Sequence, residues 1–180
     1  MDTEFAILNY IQENCKCLLF DNISRIFAYL GTMSMAVIVL SIICLCIKKY
    51  RRMGISMSFN ILFNAVAANL IIKNIVARPR PCTLNTTVEL ITKVSFDPSF
   101  PSGHTLYAFG TATIIFIYNK WLGILAYVFA VIMGLSRMYA YVHFPTDVLF
   151  GAIFGVLFAV TSYMLEQMIF GKRTRVPSKY

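Results

Sequence analysis

Two histidines occur in this chain of 180 residues, and each sits in a short cluster of residues suited to handling phosphate. His104 closes Pro101-Ser102-Gly103-His104, and His143 lies in Ser136-Arg137-x5-His143-x3-Asp147. A third cluster, Lys73-x6-Arg80-Pro81, precedes both. Together they supply three cations, two imidazoles, a carboxylate and a glycine at a helix start. Forked arginine donors match phosphoryl oxygens, and imidazole serves as nucleophile or proton carrier. Fixed cations stabilise the charge that builds in a phosphoryl transition state. The inventory suits cleavage of a phosphate ester or anhydride without a metal or other cofactor.

Taken singly, each cluster has a plainer reading. Pro101-Ser102-Gly103-His104 is either a capped helix start or an anion site in which the first N–H groups and the Ser102 hydroxyl face a phosphate that Gly103 lets approach. His104 sits beside that site. Pro145 opens another helix, so Asp147 falls in its first turn and can reach back to one His143 ring nitrogen. That pair is either a nucleophile with its orienting carboxylate or a buried hydrogen-bonded pair at a helix start. Lys73 alone would be a snorkelling lysine and Arg137 alone an interfacial anchor. Arg78 forms a second Arg-Pro pair and ranks below Arg80 as a phosphate ligand. Three cations meeting two histidines on one face are not explained by the plainer readings.

The elements that must position these residues are apolar. Hydrophobic residues make up 58% of the chain and charged residues 13%, far less charge than a soluble domain carries. Apolar runs of about 18 residues or more read as membrane spans, and several are present. The expectation is one all-α, multi-pass membrane domain over residues 1–180. It comprises an N-terminal interfacial amphipathic helix over 1–21, a helical bundle over 23–170 and a basic cytoplasmic tail over 171–180. In the first segment Leu8, Ile11, Cys15 and Leu18 fall at helical spacing, with a frayed terminus as the alternative. Five spans follow, over about Ile23–Ile47, Ile55–Ala77, Pro101–Tyr118, Trp121–Tyr139 and Pro145–Phe170. A polar loop, 78–100, separates the second and third. Asn60, Asn64, Asn69 and Lys73 recur at four- or five-residue steps and are expected to face protein rather than lipid. The first apolar run follows an acidic leader, so it reads as an anchor rather than a cleaved signal.

The net charge of +8 does not point to nucleic acid, because the basic residues cluster at span ends. Lys48, Lys49, Arg51 and Arg52 share one loop, and Lys172, Arg173, Arg175 and Lys179 share the tail. By the positive-inside rule both lie in the cytoplasm. All three clusters then fall at the opposite, extracytoplasmic face. The five cysteines lack zinc-type spacing and read as free thiols. A bridge from Cys82 to Cys15 or Cys17 stays open if those segments face an oxidising compartment.

The three clusters, complete and in order, resemble the signature motifs of the type 2 phosphatidic acid phosphatase superfamily. That superfamily also takes in glucose-6-phosphatase and the vanadium haloperoxidases. The resemblance spans residues 73–147 and implies that His143 is the nucleophile, forming a phosphohistidine, with Asp147 orienting it. It implies that His104 protonates the leaving group and then helps activate water. Lys73, Arg80, Ser102, Gly103 and Arg137 would hold the phosphoryl oxygens, with no metal. Small bacterial members act on lipid phosphates, so the implied partners are a lipid phosphate substrate and the bilayer of the cell membrane. Undecaprenyl pyrophosphate is the favoured substrate, and a phosphatidylglycerophosphate or phosphatidate is the alternative. From another class, a non-catalytic lipid-binding or transport protein on the same scaffold would predict erosion of His104, His143 or Asp147, and all three are intact.

Overall fold

The computed structural model describes residues 2–29, 33–92, 94 and 96–171. The expected basic tail beyond Gly171 lies outside the described residues. Within them the chain is helix and turn, with no strand. The helices are α1 (Asp2–Asn14), α2 (Leu18–Tyr29), α3 (Met33–Cys46), α4 (Arg51–Phe63), α5 (Lys73–Val76), α6 (Pro81–Leu84), α7 (Gly103–Tyr118), α8 (Lys120–Tyr139) and α9 (Pro145–Phe170). A π-helical stretch, Asn64–Ile72, joins α4 to α5 without a break.

α7 is the hub of the bundle, packed most extensively on α8 and α9 and also touching α3 and α4. Small residues permit the closest of these approaches, as is usual between apolar helices. A Cβ at Gly155 of α9 would lie 2.6 Å from the Leu106 carbonyl of α7, and one at Gly151 would lie 2.8 Å from the Ser102 carbonyl. The first turns of α7 and α9 are therefore locked side by side. Those turns carry His104 and Asp147.

The stretch Arg51–Leu84, α8 and α9 are long and apolar enough to cross a membrane by length and composition. Their outward faces are apolar, as at Leu125, Val128, Leu149 and Leu157. The expected first span, 23–47, is not described as one helix: α2 and α3 flank residues 30–32, which are outside the described residues. α3 has 14 residues and α7 has 16. At ~1.5 Å per residue neither reaches the roughly 30 Å of a bilayer core by itself.

Three boundaries differ from expectation for local reasons. The N-terminal helix ends at Asn14, and a break at 15–17 resets the face. Leu8 is fully buried while Leu18 is exposed. α7 begins at Gly103 with Ser102 as N-cap, so Pro101 lies before the helix, joined to Phe100 by a cis peptide bond. α5 ends because Ala77 turns into the left-handed region (φ 44°), and Pro79 then restricts Arg78 to extended backbone.

The five-residue step from Asn64 to Asn69 falls inside the π-helical stretch. A π-helix advances about one residue more per turn than an α-helix, so the stretch keeps Asn60, Asn64 and Lys73 on one buried face. Asn69 hydrogen-bonds Tyr107. These four residues face protein, as their spacing predicts.

Candidate active site

His143 sits in the short loop between α8 and α9, 2% exposed. Two backbone features aim it. Tyr141, two residues earlier, adopts φ 58°, a left-handed conformation that a bulky residue takes only under constraint. Its hydroxyl donates to Asn9 Oδ1 of α1 at 2.7 Å and accepts from Asn85 at 3.2 Å. Two residues later Pro145 opens α9 at the first helical position. Asp147 then reaches back to accept from the Phe144 N–H at 2.8 Å, the carboxylate half of a capping box.

The expected direct bond between His143 and Asp147 is not formed. His143 Nδ1 and Asp147 Oδ2 are 3.7 Å apart, and Ser99 Oγ stands between them. It lies 3.3 Å from Nδ1 and donates to Oδ2. Since that hydroxyl proton goes to the carboxylate, Ser99 accepts from Nδ1–H. The tautomer this assigns leaves a lone pair on Nε2, and Arg80 Nη1 faces Nε2 at 3.2 Å. Burial pushes the His143 imidazole pKa down to about 4, against the upward pull of Asp147 and with help from Arg80. The ring is thus unprotonated at neutral pH.

Asp147 is itself held from two sides. Arg78 Nη1 donates to its Oδ1 at 2.6 Å and to Thr146 Oγ1 at 2.7 Å, while Nη2 reaches Glu4 Oε2 of α1 at 2.5 Å. Thr146 also donates to Glu4 Oε1 at 2.5 Å. Burial works to raise the Glu4 pKa, but the hydrogen bonds from Thr146 and Arg78 and the Arg78 charge outweigh it and leave it lowered. The Arg78 guanidinium stacks 4.0 Å from the Phe144 ring centroid. Arg78 thus braces the Asp147 carboxylate.

The cations converge on the other side of His143. Lys73 and Arg80 are buried, and both are gripped by Asp97. Arg137, buried at the end of α8, contacts the Ser24 carbonyl and Ser136 Oγ at 3.4 Å each. No ion pair holds it among the described residues. Gly103 opens α7 facing the lysine: a Cβ there would lie 3.9 Å from Lys73 Nζ. No side chain caps this helix start, leaving its first N–H groups for an anion. Ser102 is fully buried; its N–H donates to the Asp147 carbonyl at 3.0 Å, and its Oγ accepts from Thr105 at 3.0 Å. His104 feels the charges of Arg137, His143, Arg80 and Lys73. Its Nε2 is buried without a hydrogen-bond partner among the described residues.

All eight residues singled out from the sequence therefore belong to one end of the bundle, around α7 and α9. Ser99, Asp97 and Glu4 were not singled out. Ser99 and Asp97 lie in a proline-flanked, non-periodic segment where no spacing rule marks a side chain. Glu4 depends on how α1 docks. The cysteines are free: Cys82 is buried against Tyr141 and Phe144, and Cys17 is exposed.

Residues 50–170, which hold every cluster, match the PAP2 superfamily. An undecaprenyl-diphosphatase of Sulfolobus acidocaldarius is 31% identical over 123 residues, covering 68% of this chain and 59% of that protein. The match thus spans less than two thirds of that relative's length. The crystal structure of a transmembrane PAP2-type phosphatidylglycerolphosphate phosphatase from Bacillus subtilis superposes with a TM-score of 0.77 at 25% identity, over 97% of this chain and 88% of that one. Aquifex aeolicus LpxE superposes with a TM-score of 0.70 at 26% identity, over 89% and 94%. On the family match, and on a fold shared along nearly its whole length with a solved PAP2-type structure, this chain belongs to the PAP2 superfamily.

Proposed function

We propose that this protein is an integral-membrane lipid phosphatase working through a phosphohistidine at His143. The observation that carries the reading is the two-sided setting of that ring. Nδ1 is backed by Ser99 and Asp147, and Nε2 faces Arg80. In the first half-reaction the Nε2 lone pair attacks phosphorus and the bond to the lipid-side oxygen breaks. His104, protonated once the phosphoryl anion sits beside it, gives its proton to that leaving oxygen. In the second, water attacks the phosphohistidine, His104 takes the water proton, and the P–N bond breaks to release inorganic phosphate. Lys73, Arg80, Arg137 and the N–H groups at the start of α7 stabilise the equatorial oxygens throughout, usually the largest catalytic contribution.

Undecaprenyl diphosphate is the substrate we favour, on the similarity to the Sulfolobus undecaprenyl-diphosphatase. The cationic end of the bundle lies opposite the Lys48–Arg52 loop, which packs by Tyr118 and Asn119; with the positive-inside rule this supports a site at the extracytoplasmic face of the cell membrane. A second reading, phosphatidylglycerophosphate as substrate, draws on the likeness to the Bacillus subtilis structure. Phosphate release by the detergent-purified protein tests both, with undecaprenyl diphosphate, phosphatidylglycerophosphate, phosphatidate and a soluble ester as substrates and His143→Ala as control. Preference for the polyprenyl substrate supports the first reading, and preference for a glycerolipid supports the second. Failure on all lipid substrates overturns both.

A further inference from the structure

Two of the three phosphate-binding cations already grip an anion, and it belongs to the chain itself. Asp97 Oδ2 accepts from Lys73 Nζ, Asp97 Oδ1 from Arg80 Nη2 at 2.8 Å, and the Asp97 carbonyl from Arg80 Nε at 3.0 Å. The Nε/Nη2 edge of arginine is a fork that binds carboxylate or phosphate in two-point fashion. Here one residue occupies it. The remaining terminal nitrogen, Nη1, is committed to the Val142 carbonyl at 3.1 Å and faces His143 Nε2. A phosphoryl group cannot engage both Lys73 and the Arg80 fork while Asp97 stays in place.

We propose that Asp97 is a built-in competitor for the phosphoryl site, displaced by the substrate's phosphoryl group. The proposal rests on the reading of Lys73 and Arg80 as phosphoryl ligands. Charge explains why a carboxylate belongs there. Lys73 and Arg80 are buried and Arg80 acts electrostatically on buried Arg137, and buried like charges without a counter-charge are costly. A phosphoryl dianion brings at least the negative charge that Asp97 takes away, so the exchange leaves the cations compensated.

Exposure explains how the carboxylate can leave. The Asp97 side chain is 38% exposed, against 10% for Lys73 and 8% for Arg80. Asp97 also forms part of the wall of a cavity of about 430 Å³ lined by Arg80, Thr83, Leu90, Val94 and Phe96. It has water and space to turn into, whereas the cations are fixed by their helix ends.

A fixed strut that merely holds Lys73 and Arg80 would predict the opposite effect of removing the carboxylate. The test is orthovanadate affinity, read as the rise in melting temperature of the detergent-purified protein during titration. Wild type is compared with Asp97→Asn, which keeps the shape, and Asp97→Ala, which removes it. If the carboxylate occupies the site about nine-tenths of the time, apparent anion affinity is lowered about tenfold. Both variants should then bind vanadate about tenfold more tightly, with KM for the lipid phosphate falling in step. Unchanged or weaker vanadate binding in the variants overturns the proposal, as does an absence of binding in all three proteins. Tighter vanadate binding without lipid phosphate turnover by wild type would sink the phosphatase reading and leave the role of Asp97 standing.

Discussion

Ser99 links His143 to Asp147: its Oγ lies 3.3 Å from Nδ1 and donates to Oδ2, while the ring and carboxylate are 3.7 Å apart. Ser99 is fully buried, so no water replaces its hydroxyl at no cost. Ser99→Ala leaves Nδ1–H without its acceptor and the carboxylate without one donor. A lost hydrogen bond to a charged partner costs about 1.5–3 kcal/mol, or roughly 10–100-fold in rate. The expected outcome is a fall of that size in kcat with KM little changed, because the link supports the attacking nitrogen rather than substrate binding. Steady-state kinetics of Ser99→Ala check it. A change confined to KM would remove Ser99 from the mechanism.

The depressed pKa of His143 sets a pH window. The folded ring holds a proton only below about 4, whereas an unfolded histidine takes one below about 6.5. Between these values the unfolded state binds more protons, so stability falls as pH drops through the window. Across the whole window the effect is on the order of 3 kcal/mol. His143→Asn lacks this titration. The wild-type melting temperature should therefore fall more steeply than the variant's between pH 6.5 and 4. By the same logic, the His143 ring of the wild type should remain unprotonated well below pH 6.5. Protonation of the His143 ring near 6.5, followed by its NMR signal, would contradict this reading.

Arg78 and Glu4 form a graded brace. Arg78 touches Asp147 directly, and Glu4 touches only Arg78 and Thr146 in this network. Arg78→Ala leaves the buried Asp147 carboxylate short of one charged hydrogen-bond partner, a loss of about 1.5–3 kcal/mol, and is expected to lower kcat by roughly 10–100-fold. Glu4→Ala leaves the Arg78–Asp147 contact in place and should cost about tenfold or less. The double variant should resemble Arg78→Ala alone, since Glu4 acts through Arg78. A double-mutant cycle on kcat checks this. Additive losses would mean that α1 contributes independently of the brace.

The legible part of the site and the hidden part differ in how they are built. His104, His143, Asp147, Arg137 and Lys73 sit at or near helix ends, where proline, glycine and the close of an apolar run mark position in one dimension. The same helices could be read because membrane spans are long apolar runs. Ser99, Asp97 and Glu4 take their roles from contacts across 48, 17 and 74 residues of sequence. Periodicity does not report such contacts. The end of α1 at Asn14 was hidden for a related reason: the apolar spacing runs on through Leu18, and the break at 15–17 is visible only once Leu8 is seen buried against Tyr141 and Phe144.

Two native cysteines offer a direct test of which way the bundle faces. Cys17 is exposed and lies at the active-site end, where its N–H approaches the Tyr139 hydroxyl at 3.4 Å. Cys46 is exposed at the far end of α3, next to the Lys48–Arg52 loop. Single-cysteine variants retaining one or the other differ in little but the face they report. With the basic loop inside, an impermeant thiol reagent should label the Cys17 protein in intact cells and the Cys46 protein only after permeabilisation. The reverse pattern would put the phosphoryl site on the cytoplasmic side. The proposed extracytoplasmic site would then fall, while the proposed chemistry at His143 would stand.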